Sequence, residues 1–318
     1  MEIKPSPFDP DYSSARTKAF FNSVLARLAG RPNRLLSFDQ VKDKLTLRGS
    51  VYRGLRTVPV KNIIGSVDRY RDFDRAFLPA QTHTANRWKA INQFFHSEAE
   101  LPPVKLYQIG DAYFVLDGNH RVSVAREHGV EFIDAEVIEV RSRVPITPEI
   151  NADDLEILGE YDAFLERTQL DRLGPDQNIR FTIAGGYEQL LEHIAVHRYF
   201  MGLDEQRDIG EAEAVKHWYD TVYLTIVQVI REQNILSDFP GRTEADLYLW
   251  VIAHLHHMRE AQGEVDPAQA AQEFAEEFGE RPVQKLWRTV AHAIDTLGGA
   301  EAEPVGPPTE PKTEAEEN

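Results

Sequence analysis

The chain has 318 residues, of which 42% are hydrophobic and 27% charged, values typical of a globular protein of two domains. It contains no cysteine, which excludes disulfides, thiol nucleophiles and cysteine-ligated zinc or iron–sulfur sites. Residues 1–7 lack the apolar core of a signal peptide, and no stretch is apolar enough to span a membrane. A cytoplasmic protein without membrane partners is therefore expected.

Charge is divided unevenly along the chain. Residues 1–130 hold 20 Lys and Arg against 13 Asp and Glu, a net charge of +7, so the remainder carries −24 and the whole chain −17. Such asymmetry suggests that the two halves have different partners. The basic half can attract phosphates on nucleotides or nucleic acid. The acidic half can instead serve only to keep the protein in solution.

Regular elements are predicted along the first 140 residues from apolar periodicity and turn residues. The predicted helices cover residues 12–29, 35–47, 84–95 and 122–128, and the predicted strands cover 56–60, 104–109, 112–116 and 132–140. The apolar stripe of the first helix consists of Phe20, Phe21, Val24, Leu25 and Leu28. Gly110 and Asp111 make a hairpin turn, and Gly129 ends the fourth helix.

Residues from about 147 onward follow a helical pattern almost throughout. The predicted helices cover residues 151–168, 185–201, 211–233, 243–261, 266–278 and 281–297. The last stretch is rich in Pro, Glu and Thr and is expected to be disordered. The prediction is an α+β protein whose small mixed sheet precedes an all-helical domain. Its segments are N-terminal helices over 1–50, the mixed-sheet domain over 51–146, the helical domain over 147–297 and the tail over 298–318.

The most informative segment is the run Asp117-Gly118-Asn119-His120-Arg121, which joins a strand to a helix. The amino end of a helix offers unpaired N–H groups and a positive dipole end, so it can hold an anion. Gly118 permits close backbone approach or a positive φ. His120 and Arg121 add donors at the same end, and arginine can donate two hydrogen bonds to phosphate.

Two other residues of this segment need an explanation. Ser123 could add a hydroxyl donor to a bound phosphate. Asp117 would repel an anion, so it is expected to cap the helix, to orient His120 or Arg121, or to hold a divalent metal. The alternative for the whole turn is a plain helix cap, made by Asp117 or Asn119, with the following two side chains in solvent.

The run from Tyr113 to Arg126, with Gly129 and the strand over 133–137, resembles the ParB/sulfiredoxin superfamily. ParB proteins have a glycine–x–x–arginine turn at this place, and sulfiredoxins have glycine–cysteine–histidine–arginine. Free-serine kinases of the same fold have aspartate–glycine–histidine–threonine–arginine. The resemblance covers residues 56–140 and implies a ParB/sulfiredoxin-like fold. It also implies contacts to the phosphates of ATP or CTP with Mg²⁺ from Gly118, Asn119, His120 and Arg121.

Two departures from the superfamily narrow what the resemblance implies. Asn119 occupies the position of the sulfiredoxin cysteine, which removes thiol chemistry. The asparagine–proline–arginine stretch of ParB proteins is absent between Thr82 and Asn92, which counts against a CTP-driven DNA clamp.

A second charged run, over residues 66–75, interleaves three Asp and three Arg with Tyr70 and Phe73. In the superfamily the segment after the first strand often supplies an acidic catalytic residue. We therefore expect Asp68 to join Asp117 and His120 as a catalytic residue, as a base or as a magnesium ligand. Phosphate contacts are expected from Arg69 and Arg71. Asp72, Asp74 and Arg75 are alternatives for the same roles. The other interpretation is a loop of internal salt bridges.

Some histidines of the second half are candidate metal ligands. His193 and His197 lie four residues apart on a predicted helix, so they share a face. The residue after His193 is isoleucine rather than the glutamate of an HExxH motif. Packing or surface roles fit these side chains better, and no metal site is predicted.

Three functions remain for experiment to separate. The first is a nucleotide-binding protein, with phosphotransferase or nucleotide hydrolase activity as its enzymatic form. The second is a DNA-binding ParB-like regulator or partition-type protein, against which the acidic second half counts. The third is an interaction module without turnover. In each case, aromatic residues between 218 and 250 suit either a core or a homo-oligomer interface of the helical domain.

Overall fold

The computed structural model describes residues 9–28, 33–97, 101–174, 177–232 and 234–262. The chain divides into two compact units, residues 1–162 and residues 163–318. The helices predicted over 266–278 and 281–297 and the tail over 298–318 lie outside the described residues. The segment boundaries predicted at residues 50, 146 and 297 remain predictions.

The first unit contains a mixed sheet of six strands, in the order β1-β3-β5-β4-β6-β2. The strands are β1 (Leu36–Ser37), β2 (Leu47–Pro59), β3 (Ile63–Ser66), β4 (Val104–Ile109), β5 (Ala112–Asp117) and β6 (Phe132–Ser142). The pairs β1–β3, β3–β5 and β4–β6 are parallel. The hairpin pair β4–β5 and the edge pair β6–β2 are antiparallel.

Helices accompany the sheet and make up the regular structure described in the second unit. Those of the first part are α1 (Pro10–Leu28), α2 (Phe38–Lys44), α3 (Ala85–Phe95), α4 (Asn119–Glu127) and α5 (Ala152–Thr168). The later helices are α6 (Leu170–Leu173), α7 (Gly186–Glu205), α8 (Glu211–Trp218), α9 (Leu224–Glu232) and α10 (Glu244–Gln262). A π-helical turn over Tyr219–Tyr223 joins α8 to α9. The predicted α+β class, a mixed sheet followed by helices, is confirmed.

None of the helices within the described ranges is long and apolar enough to cross a membrane.

Residues of β5 alternate between two apolar clusters, because successive side chains of a strand point to opposite faces. Phe114 packs with Phe38 and Ile109 in one cluster, and Val115 packs with Leu106 and Val122 in the other. Phe114 and Val115 are both fully buried. Strand β5 is therefore covered on both faces, and its carboxyl end is held rigidly where α4 begins.

The apolar stripe predicted to bury helix α1 is exposed instead. Phe20 is 64% exposed and Leu28 81%. The helix packs through Ala15 and Ala19, which join a cluster around the fully buried Trp88 of α3. Small residues permit this close approach between helices. Hydrophobicity alone does not reveal that the alanine face of α1, rather than its apolar stripe, is the face that packs.

We predict that Gly65→Ala destabilises the sheet. A Cβ at this position would lie 2.5 Å from the carbonyl oxygen of Leu36 and would also strike the Phe114 ring. Overpacking between a paired backbone and a buried ring costs roughly 1–3 kcal/mol or more. Urea denaturation followed by circular dichroism measures the loss. Gly210→Ala is the matched control, since nothing lies within 4 Å of its added methyl. Equal stability of the two variants would contradict the described packing around β3.

Candidate functional site

The two segments singled out in the sequence meet at one edge of the sheet. Strands β3 and β5 are parallel neighbours, with Ser66 paired to Val115, so their carboxyl ends lie side by side. Ligands of α/β proteins commonly bind outside the carboxyl ends of such strands. A cavity of about 150 Å³ lies there, lined by Asp68, Arg69, Arg87, Ile91, Leu116 and residues 117–121.

Gly118 forms the turn between β5 and α4 and has a left-handed backbone, with φ of 107°. A Cβ at this position would lie 2.7 Å from Cγ1 of Val104, so the turn requires glycine on both conformational and steric grounds. Gly118 is the N-cap of α4 and, as a glycine, offers no side-chain acceptor to the helix N–H groups. The alternative of a plain cap by Asp117 or Asn119 therefore does not describe this turn. The amino end of α4 keeps N–H groups for another acceptor.

Asn119 and His120 present buried polar atoms to the same cavity without hydrogen-bond partners. Asn119 is 8% exposed and His120 5% exposed. Among the described residues, Oδ1 of Asn119 and both ring nitrogens of His120 have no hydrogen-bond partner. Leaving a buried polar group unpaired costs about 1–3 kcal/mol, and such groups concentrate at functional sites. These atoms can therefore form hydrogen bonds with a polar ligand.

The His120 imidazole is neutral at neutral pH. Burial, together with the nearby guanidinium groups of Arg69 and Arg87, lowers its pKa to about 4. The ring also packs edge-on against Phe73, with centroids 5.3 Å apart. A neutral imidazole donates one hydrogen bond and accepts another, so His120 contributes a donor to this cavity rather than a charge.

Arg121 and Asp117 form an ion pair that anchors the turn. Nη2 of Arg121 lies 2.6 Å from Oδ2 of Asp117. The other terminal nitrogen donates to the carbonyls of Pro102 and Pro103, the second at 2.8 Å. The Arg121 side chain is 12% exposed and that of Asp117 57%. Of the roles considered for Asp117, orienting Arg121 is the one that the contacts support. Arg121 itself holds the loop before β4.

The charged run over residues 66–75 divides into cavity residues and structural residues. Asp68 and Arg69 reach the cavity, and both are exposed. Asp72 pairs with Arg69 at 3.4 Å and with His83 at 3.2 Å. Oδ1 of the buried Asp74 accepts a hydrogen bond from the Leu78 amide at 2.8 Å. The run therefore contains both internal ion pairs and two side chains that line the cavity.

The remaining arginines of the run lie elsewhere. Arg75 donates to the carbonyls of Glu149 and Ile150, at 2.7 and 2.8 Å. Arg71 lies over the Tyr70 ring, 5.4 Å from its centroid, and lines a different cavity. The expected phosphate contact from Arg71 does not fit this position.

Ser123 also departs from its expected role. It is fully buried, and its Oγ accepts a hydrogen bond of 2.9 Å from Nε1 of Trp88. One turn into α4, this residue faces the helix layer rather than the cavity. Its hydroxyl satisfies a buried indole and is not placed to bind phosphate.

Arg87 is the cavity residue that the sequence did not single out as a ligand. It lies on α3, is exposed, and forms no side-chain hydrogen bond or ion pair with other described residues. Nothing in the sequence near Arg87 marks it, since its place in the site depends on how α3 packs beside α4.

The candidate metal-ligating histidines of the helical part contact other side chains. Nδ1 of His193 lies 3.3 Å from the Tyr248 hydroxyl, and Nε2 of His197 lies 2.8 Å from Nδ1 of His217. Burial lowers the pKa of both His193 and His197 to about 4. Their packing role was the expected one.

No protein-family model matches the sequence, and no curated protein matches it. Solved structures similar to the chain include a C-terminally truncated chromosome-partitioning protein ParB from Caulobacter crescentus, complexed with CTP-γ-S. It is 12% identical, with 77% of this chain and 99% of that chain covered and a TM-score of 0.21. The Pnob8-like ParB-N domain is 11% identical, with 76% and 99% covered and a TM-score of 0.21.

The roles of individual residues in the candidate site rest on the contacts within this chain.

We predict that His120 makes folding stability depend on pH. Its pKa is about 4 in the folded chain against the ordinary 6.5, so between these values the unfolded state binds the proton more tightly. Stability from this group is fully present above the ordinary pKa and declines as pH falls toward the folded pKa. From about pH 7 to pH 5 the loss is roughly 2 kcal/mol, and His120→Gln should lack it.

Chemical denaturation at both pH values tests this, with the imidazole resonance assigned by comparing NMR spectra of wild type and His120→Gln. A ring that titrates at an ordinary value would contradict the buried position.

We predict that Arg121→Gln destabilises the protein by about 2–4 kcal/mol, because it leaves a carboxylate and two carbonyls without their donor. Asp117→Asn should cost less, because that side chain is mostly exposed. Urea denaturation of the two variants measures the difference. Equal losses would show that the ion pair, rather than the carbonyl contacts, carries the stabilisation.

Proposed function

We propose that the cavity at the amino end of α4 binds the phosphate groups of a nucleotide. One observation carries the proposal: α4 begins at a glycine N-cap, and the next turn brings the buried, unpaired ring of His120, which can donate a hydrogen bond, to the same cavity. Helix N–H groups and the positive dipole end favour an anion. Two exposed arginines, Arg69 and Arg87, flank the same cavity and supply charge.

The size of the cavity supports a phosphate-sized anchor. Sites that enclose a whole drug-sized ligand measure about 300–1,000 Å³. The cavity measures about 150 Å³. It therefore suits one or two phosphoryl groups, with the sugar and base of the nucleotide extending over the surface beyond Arg69 or Arg87.

Asp68 fits the role of a magnesium ligand better than Asp117 does. Magnesium in nucleotide sites is held by one or two carboxylates together with phosphate oxygens. Asp68 is exposed beside the cavity and has no hydrogen bond or ion pair with other described residues. Asp117 is engaged by Arg121. Bound Mg²⁺ would neutralise phosphate charge, and Asp68 is the residue placed to hold it.

The reaction that we propose for this site, where the protein acts as an enzyme, is phosphoryl transfer or nucleotide hydrolysis. Positioning and electrostatic stabilisation supply most of the catalysis in such reactions. Arg69 and Arg87 could stabilise developing charge on the phosphoryl oxygens, and neutral His120 could donate a hydrogen bond. Asp68 could instead act as the base that accepts a proton from the attacking hydroxyl or water.

We predict that Arg69→Gln and Arg87→Gln each weaken nucleotide binding about tenfold, the effect of losing one charge-assisted hydrogen bond. Isothermal titration calorimetry with CTP, ATP and GTP, each with Mg²⁺, measures the affinities. CTP is titrated first, since the similar ParB structure contains CTP-γ-S. Release of inorganic phosphate from the same samples reports any turnover.

Arg71→Gln is the matched control for these variants, because Arg71 lies in the same charged run but outside the cavity. Its affinity should stay within about twofold of wild type, below the cost of one such bond. Equal weakening by all three variants would point to general charge attraction instead. No nucleotide affinity, together with salt-sensitive retention of DNA, would favour the DNA-binding alternative.

A further inference from the structure

Asp11, His96 and His128 come together on the helical layer of the first unit. Asp11 lies in the first turn of α1, His96 follows α3, and His128 follows α4. Oδ2 of Asp11 lies 3.0 Å from Nε2 of His96 and 4.0 Å from Nε2 of His128. One ligand atom from each of the three residues lies within 4.8 Å of the others.

We propose that these three residues bind a divalent transition metal of the zinc type. Two imidazoles and one carboxylate form a common three-residue ligand set for zinc, with a fourth position open to water. Bonds of about 2.0–2.1 Å in a tetrahedron place neighbouring ligand atoms roughly 3.3 Å apart. The distances of 3.0 and 4.0 Å in this cluster lie on either side of that value, so small side-chain movements complete the geometry.

Neighbouring side chains hold the ligands in place. Phe95 stacks on the His128 ring, with centroids 4.4 Å apart and planes 13° apart. The buried Asn92 donates through Nδ2 to Oδ2 of Asp11 at 2.9 Å. Partners of this kind, which orient the ligands without touching the metal, commonly strengthen binding.

Asn92 also makes a contact that a metal would replace. Its Oδ1 lies 2.7 Å from Nε2 of His128, so that nitrogen carries the proton in this arrangement. Metal ligation through the same nitrogen moves the imidazole proton to Nδ1 and releases the Asn92 carbonyl. The carbonyl is then free to accept from a water molecule bound to the metal.

Solvent can reach the cluster. The side chains of His96, Asp11 and His128 are 57%, 36% and 20% exposed. This access provides an entry path for the ion and leaves room for water as the fourth ligand. Because Asp11 lies in α1 while His96 and His128 directly follow α3 and α4, a bound metal would connect the three helices. The sequence predicted no metal site, since 85 residues separate Asp11 from His96 along the chain.

The experiment uses the full chain, purified without a histidine tag and treated with EDTA. Zn²⁺ is titrated by calorimetry, with Mg²⁺ as the hard-cation comparison. Co²⁺ replaces Zn²⁺ in a parallel sample, because its visible absorption bands report tetrahedral geometry. The expected result is one saturable Zn²⁺ site with a rise in the thermal unfolding temperature. Mg²⁺ should give no comparable effect.

Variants of two ligands and one control variant distinguish Zn²⁺ binding at this cluster from Zn²⁺ binding at other histidines. His96→Gln and Asp11→Asn should each weaken Zn²⁺ binding at least about tenfold and abolish the tetrahedral Co²⁺ spectrum. His217→Gln should leave both readouts unchanged, although it removes a histidine that pairs with another. Circular dichroism confirms that each variant is folded before titration.

The sequence also holds His254, His256 and His257, which can bind Zn²⁺ without involving this cluster. Zn²⁺ binding that survives in both His96→Gln and Asp11→Asn would therefore overturn the proposal. Absence of saturable Zn²⁺ binding by the wild-type chain would overturn it as well. Because the cluster shares no residue with the cavity at the start of α4, neither outcome affects the nucleotide proposal.

Discussion

The parallel pairing of β3 with β5 decides where the candidate site lies. Both strands end at the same edge of the sheet, so the segment containing Asp68 and Arg69 leaves beside the turn at Gly118. The register leaves no space for a side chain at Gly65, which packs against Phe114 and Leu36. A small error in this pairing would move Asp68 and Arg69 away from the end of α4. The strand topology therefore sets the position of the cavity, and the individual side chains set its lining.

Stability and binding oppose each other at the start of α4. Asn119 and His120 are buried without partners, at an expected cost of about 1–3 kcal/mol for each unpaired group. The anchored Arg121 and the packed interior of α4 offset this cost and hold the unpaired groups in place. A ligand that pairs with these atoms meets groups that are already dehydrated and oriented, so little ordering is needed on binding.

The sequence pattern predicts the elements whose structure depends on residues near one another in the chain. The β5–turn–α4 unit follows from an apolar strand, the turn residue Gly118 and the helix stop Gly129, which are all visible in the sequence. The ion pair of Asp117 with Arg121 was one of several alternatives, because the prolyl carbonyls that complete it lie outside the motif. The roles of Ser123 and Arg87 depend on how α3 packs beside α4, which no pattern within either helix reveals.

Most of strand β2 was not predicted from the sequence, because its side chains are largely exposed and do not alternate in polarity. It forms one edge of the sheet for 13 residues, a length that exposes many unpaired backbone groups. Gly49 and Gly54, with φ of 69° and 77°, accompany two breaks in its register with β6. Such bulges, together with charged side chains such as Arg53, disfavour the pairing of a second chain with this edge. The irregularity that obscures this strand in the sequence pattern is therefore also a feature expected to lower its tendency to aggregate edge to edge.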